Sequence, residues 1–425
     1  MTTPADQRRR AALLARADGL TADLDHWLGL TADAAAPFPH HHTQVRALNA
    51  ALRPLLDRVR DGEPRRSDVE LSLIQEVWCR LREALAQRWD ASTAPFLALA
   101  DDFAWSCYLP ALTAVRAAAA ADPSAAEPLA VEPPLVHLTG HAVPFALPRS
   151  AADGRPAKVG QLQRALPVPL VGLPFAQSRH LPETVLTAHE VGHCVLDAFG
   201  LADELGDLLR RTTAGATWWT DRLHEVFADL WGTLCAGSGF AFTLADFVAL
   251  TPDGPPSDRY PVPKVRVALV ADTLAEAGHE GAAAELRALW NGQVAASDAV
   301  PDVLRPTVST LLTSPLDGLG GKPLLGLFPV VPDALLRATA DALLRRAPLP
   351  PGASAGAGLL VPAAALAFHV APCRYTEVVG VLTERVHREA AKYRDRGVRG
   401  SVPADVPKAA GSRASDRLVD LLDSW

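Results

Sequence analysis

The chain has 425 residues, 49% apolar and 21% charged, enough for two or three packed units of roughly 150 residues and too apolar for a wholly disordered chain. A formal net charge of −7 gives no general electrostatic reason to bind nucleic acid, which normally needs a basic face. The five cysteines, Cys79, Cys107, Cys194, Cys235 and Cys373, are odd in number and dispersed, which argues against a disulfide framework or a structural zinc knuckle and fits reduced thiols in a cytosol.

The N-terminus reads as an amphipathic helix rather than a secretory signal, because the apolar run Ala11 to Ala15 is broken by Arg16 and Asp18. Residues 5–121 are mostly helical by periodicity, as in Leu71, Ile74, Val77, Trp78, Leu81 and Leu85. Proline and glycine mark loops at Ala36 to His42 and Asp61 to Pro64. His40, His41 and His42, flanked by prolines and without an acidic partner nearby in sequence, are expected in an exposed loop. From Asp122 prolines multiply, and Leu135 to Leu138, Ala142 to Leu147 and Leu166 to Leu173 read as strands of a small sheet.

A helix is predicted from Leu181, with Pro182 in its opening turn, to Phe199, with Gly200 as its C-cap. Others are predicted over Thr217 to Ala236, stopped by Gly237 to Gly239, over Lys264 to Ala277 and over Gly281 to Trp290. The remainder is mainly helical, interrupted by Pro348 to Gly358 and by a polar segment around Gly397 to Arg413. The most apolar stretch, Leu359 to Val370, is short for a bilayer and contains Pro362 and His369. The expected architecture is mainly α with a small β-sheet: a helical N-terminal region over 1–122, a core with the sheet over 123–300 and a helical C-terminal region over 301–425. A cytoplasmic protein without a membrane anchor is expected.

The chemistry concentrates at His189-Glu190-Val191-Gly192-His193. Side chains four apart on a helix differ by about 40° around the axis, so both imidazoles can grip one metal ion. Glu190 lies beside that face, where it can take a proton from a water that zinc has acidified. With 13 histidines in the chain, a chance H-E-x-x-H has a probability of roughly a few per cent. Context therefore matters: the motif sits in a believable helix, flanked by Val185, Leu186, Val191, Val195 and Leu196 and preceded by a strand-like run.

A catalytic zinc ion usually has three protein ligands and one open position. Glu225 is the best third ligand, on a helix where Leu223, Phe227, Leu230 and Leu234 can pack inward while Glu225 and Asp229 share a face. Asp229 can accept the other ring N–H of a zinc-bound histidine. Asp197 and His224 rank below Glu225 as ligands. The longer motif ending in a third histidine is excluded by Leu196 and Phe199.

Over roughly Thr184 to Asp229 the chain resembles the gluzincin group of zinc metallopeptidases, which joins H-E-x-x-H to E-x-x-x-D on a second helix. The resemblance implies a zincin-like core, one catalytic zinc ion on His189, His193 and Glu225, Glu190 as general base and Asp229 orienting a histidine. It also implies an extended peptide bound along an edge strand beside the active-site helix, for which the Leu166 to Leu173 region or the strands before it would serve. Arg259 to Arg266 is more weakly similar to the H-P-x-x-x-x-R element of the prenyl-protein endopeptidases, with Tyr260 where histidine is usual.

Peptide hydrolysis also needs a donor to the developing oxyanion. Tyr260 is the first candidate, ahead of His279, His369 and Tyr375, and Arg266 is expected to pair structurally. The expected activity is zinc-dependent peptide-bond hydrolysis on a peptide or protein substrate, without nucleic-acid or membrane partners, the helical flanks being available to a protein partner. The alternative is a non-catalytic interaction or regulatory protein that retains the zinc site.

Overall fold

A computed structural model of the chain describes residues 3–33, 35–121, 132–147, 161–162, 165–213, 215–249, 259–291, 303–329, 331–353, 356–394 and 405–424. It is mainly helical with one three-stranded mixed sheet. The N-terminal part contains α1 (Pro4–Gly29), α2 (His42–Asp61), α3 (Pro64–Ala86) and α4 (Ala94–Ala121). Local chemistry sets their starts. Thr3 and Asp6 form a reciprocal capping box at α1. The Glu63 carboxylate accepts from the Arg65 and Arg66 amides at the start of α3.

The strands are β1 (Leu135–Thr139), β2 (Phe145–Leu147) and β3 (Leu170–Pro174), in spatial order β1-β3-β2. β1 runs parallel to β3 with Leu135 opposite Leu170, and β2 antiparallel with Phe145 opposite Gly172. The strand expected from Leu166 starts only at Leu170, because Pro167 and Pro169 carry no amide donor. Their carbonyls instead accept from the Glu132 and Leu135 amides, each at 2.9 Å. That strand is also central rather than an edge, so it cannot receive an added peptide strand.

The outer side of β1 is occupied by side chains. The Gln87 amide donates to Leu138 O at 2.8 Å and accepts from Leu138 N at 2.7 Å. Arg88 donates to Val136 O at 2.9 Å, and Asp101 accepts from Val136 N at 3.1 Å. His41 belongs to this junction and is buried, contrary to the exposed loop expected for it. Its Nε2 receives the Arg88 Nε–H at 2.9 Å and lies 3.6 Å from Asp101. The missing acidic partner comes from α4, which residue spacing around His41 could not show.

The chain continues through a 3-10 segment, Leu181–Leu186, into α5 (Thr187–Ala198), α6 (Leu201–Thr212), α7 (Ala216–Ala249), α8 (Pro263–Glu276) and α9 (Glu280–Asn291). The long helix expected from Leu181 thus opens as 3-10, with Pro182 in its first turn, and becomes α-helical two residues before His189. The stop expected at Gly237 is a break inside α7: Gly237 has φ 54° and ψ −139°, and helix resumes beyond it. By length and composition α7 is also apolar enough to cross a membrane, with 61% of its most apolar window buried inside the protein.

After α10 (Leu304–Thr313), α11 (Asp333–Leu344), α12 (Ala357–Val370) and α13 (Pro372–Arg394) comes α14 (Asp405–Asp423). Part of the polar segment expected around 397–413 is therefore helical, while residues 395–404 lie outside the described residues. One large core unites α4, the inner face of the sheet and the helices from α5 to α13. A second joins α1, α2, α3 and α14 to the other face of the sheet through Leu135 and Leu170. Helix α14 lies close against α2: a Cβ added at Gly411 would stand 2.4 Å from Ala50 Cβ. Asp423 fastens its end to Arg58 at 2.6 Å and Arg66 at 2.5 Å.

Candidate metal centre

Helices α5 and α7 pack face to face and bring His189, His193 and Glu225 together. All three are buried. Glu225 Oε2 lies 3.2 Å from His189 Nε2, and Glu225 Oε1 lies 3.7 Å from His193 Nε2. The donor atoms of the three residues all fall within 4.8 Å of one another. A tetrahedral zinc ion with bonds of about 2.0 Å needs ligand atoms about 3.3 Å apart, comparable with the separations of 3.2 and 3.7 Å. Among the described residues, no other group of three histidine, cysteine or acidic side chains comes together in this way.

The outer partners fix this arrangement. His189 Nδ1 is 2.8 Å from Asp229 Oδ1, so an Nδ1–H donated there directs Nε2 toward Glu225 and leaves it as the nitrogen that would bind a metal ion. Asp229 is wholly buried. It is clamped by Arg266 of α8 through two parallel bonds, Nε to Oδ2 at 2.7 Å and Nη2 to Oδ1 at 2.6 Å. Burial opposes charge on the His189 ring, but its hydrogen bonds to Asp229 and Glu225 outweigh that and raise its pKa to about 10, so a metal ion would have to displace the Nε2 proton that otherwise points at Glu225. Burial also pushes the Asp229 carboxyl up, yet Arg266 and then His189 keep it below the ordinary carboxylate range. Burial likewise opposes the Arg266 charge, and Asp229 more than restores it. The structural pairing expected of Arg266 thus has a definite partner.

Glu190 is buried beside His189, near enough for its charge to act on that ring. Tyr260 is 52% exposed just before α8, within electrostatic reach of Arg266. The lower-ranked residues have other places. Asp197 and His224 face each other at 3.9 Å outside the cluster. His369 pairs with Asp246 at 3.2 Å and stacks on Phe242. Tyr375 is buried edge-on against Phe368, and Phe199 packs on Tyr108.

Residue spacing did not single out Gly192, although the junction depends on it. A Cβ there would lie 2.9 Å from Ala228 Cα and 3.0 Å from Trp231 Cβ, so glycine permits α5 to approach α7 closely enough for Glu225 to reach the histidines. The signal was a pair of small residues, Gly192 within the histidine motif and Ala228 between Glu225 and Asp229. Gly192→Ala is expected to destabilise the protein by about 1–3 kcal/mol through overpacking and to weaken zinc binding. Denaturant unfolding and zinc titration would check this, and unchanged values in both would remove the close-approach argument.

No protein-family model, curated protein or solved structure matches the chain.

Proposed function

We propose that the protein is a zinc-dependent peptidase of the gluzincin kind, built on a zincin-like core and acting in the cytoplasm on peptide or protein substrates. The observation that carries this reading is the convergence of two imidazoles and a carboxylate from two helices, with Asp229 fixing one ring and Glu190 buried alongside. A plain structural ion pair needs neither the second histidine nor the adjacent glutamate. This donor set fits zinc, since nitrogen and carboxylate oxygen are borderline ligands suited to it and three of them leave a fourth position open. Zinc held there would polarise a scissile carbonyl and acidify a water.

The chain's own residues account for the rest. Glu190 takes a proton from the attacking water and returns it to the leaving amine. His189, His193 and Glu225 hold the metal, Asp229 sets the His189 tautomer, and Arg266 immobilises Asp229. Tyr260 is the candidate donor to the developing oxyanion. The short edge strand β2, which packs beside α5, offers an extended peptide a place to add as a further strand, the role expected of an edge beside the active-site helix.

The test combines zinc content with cleavage of a peptide library. The purified protein is expected to carry one zinc ion per chain and to cleave peptides in a chelator-sensitive manner. Glu225→Ala should weaken zinc by more than the roughly 10–100-fold typical of losing an outer-shell partner. Unchanged zinc affinity in that variant sinks Glu225 as a ligand. Folded, zinc-loaded protein without cleavage would favour the non-catalytic scaffold instead.

A further inference from the structure

The segment that joins β3 to α5 buries three polar side chains. Gln177 lies in a short 3-10 turn, Phe175–Ser178, Thr184 lies in the 3-10 segment Leu181–Leu186, and Thr187 is the first residue of α5, one turn ahead of Glu190. All three residues are 0% exposed. Gln177 Oε1 and Nε2, Thr184 Oγ1 and Thr187 Oγ1 have no hydrogen-bond partner among the described residues. A buried hydroxyl or amide ordinarily finds one, because leaving it unmet costs its full desolvation penalty.

Threonines elsewhere in the helices close on the carbonyl four residues back: Thr243 on Gly239 O at 2.8 Å, Thr273 on Leu269 O at 2.8 Å, Thr307 on Val303 O at 2.7 Å and Thr339 on Leu335 O at 2.8 Å. Thr184 and Thr187 do not. The chain here is wound as 3-10, with the Thr187 amide donating to Thr184 O, and the tighter turn carries the fourth carbonyl back out of line with the hydroxyl. The same winding aligns the two threonines, since side chains three apart in a 3-10 helix eclipse at a separation of about 6 Å along the axis. That is close to the span of two hydrogen bonds of about 2.8 Å through one bridging oxygen. The Phe175–Ser178 turn packs against the Leu181–Leu186 segment, which sets the buried Gln177 beside it.

The unmet atoms select the occupant. A cation would suit Gln177 Oε1 and the hydroxyl oxygens but oppose the Gln177 N–H. An anion would suit the N–H and O–H groups but oppose Oε1. Water both donates and accepts, and a buried water typically makes about three bonds to groups of this kind.

We propose that an internal water molecule is bound between Thr184, Thr187 and Gln177 as a fixed part of the junction that seats α5 on the sheet. It bridges the two hydroxyls and takes the Gln177 amide as its third partner. The site does not rest on the peptidase reading.

The test is a high-resolution crystal structure of the full-length protein, with a second crystal soaked in thallium acetate, whose cation replaces potassium and scatters anomalously. One ordered density peak is expected within about 2.6–3.1 Å of Thr184 Oγ1, Thr187 Oγ1 and a Gln177 amide atom, without anomalous signal. An anomalous peak there makes the occupant a cation and overturns the assignment. Direct bonding of the hydroxyls to protein carbonyls, with no peak between them, overturns it too. Thermal unfolding gives an independent reading in solution. Thr187→Val, which keeps the shape and removes the hydroxyl, is expected to lower Tm because the water loses a partner, and Thr184→Val makes the same comparison should that variant fail to fold. An unchanged or higher Tm in both would mean hydroxyls stranded in a dry interior and overturns the water. Thr187→Ser retains the hydroxyl and should keep the density peak; its loss there would remove Thr187 as a partner.

Discussion

Glu190→Gln is expected to abolish measurable peptide cleavage while leaving zinc content near one ion per chain. The substitution preserves the size and hydrogen-bonding outline of a side chain beside the proposed ligands but removes the proposed base for moving a proton from water to leaving amine. A positioned general base contributes typically 10²–10⁴-fold, so kcat should fall by about that factor with little change in stability. His189, His193 and Glu225 remain in place, and their separations of 3.2 and 3.7 Å do not depend on Glu190 as a donor. The check is a paired measurement of kcat and metal stoichiometry. Activity within a few-fold of wild type would move the base elsewhere, and loss of zinc alongside activity would make Glu190 a contributor to the metal cage.

Asp229→Ala should have the largest effect on stability. It removes the partner of two buried groups at once, the Arg266 guanidinium and the His189 ring. Removing one partner of a buried ion pair costs about 3–5 kcal/mol because the other charge stays buried and uncompensated. Freeing the His189 ring from its orienting bond should also lower zinc affinity by about 10–100-fold. The double substitution Asp229→Ala with Arg266→Met separates these contributions. Removing the stranded charge should recover much of the lost stability, whereas zinc affinity should stay low because His189 still lacks its acceptor. Denaturant unfolding and competitive zinc titration read the two effects separately. Recovery of zinc affinity in the double variant would show that Asp229 acts through packing rather than through the imidazole.

The two outcomes reflect how the site is built. Glu190 needs only to be present at the right atom, whereas Asp229 carries a relay from α8 through α7 to α5. That relay explains why so many charged groups occur together in the interior: Arg266 balances Asp229, and Asp229 orients His189. Gly192 and Ala228 bring the two helices close enough for the relay to span.

By itself the sequence determined the helical class, the positions of most helices and the identity of the metal-binding candidates. Those features depend on short-range periodicity: residues four apart share a helix face, so His189 and His193 are paired wherever the helix goes, as are Glu225 and Asp229. Proline effects are legible only in part: Pro182 marks an opening turn without revealing its 3-10 geometry, and Pro167 and Pro169 delay β3 to Leu170.

Tertiary structure decided whatever joins distant segments. The burial of His41 depends on Asp101 from α4. The edge of β1 is closed by Gln87, Arg88 and Asp101, and only pairing shows that β3 is central. The attachment of α14 to α2 rests on the close fit of Gly411 against Ala50, and the approach of α5 to α7 rests on Gly192 against Ala228. Periodicity records which face a residue occupies, because that repeats every few positions. It carries no information about which remote helix meets that face, since that depends on packing volume and on partners supplied by distant parts of the chain.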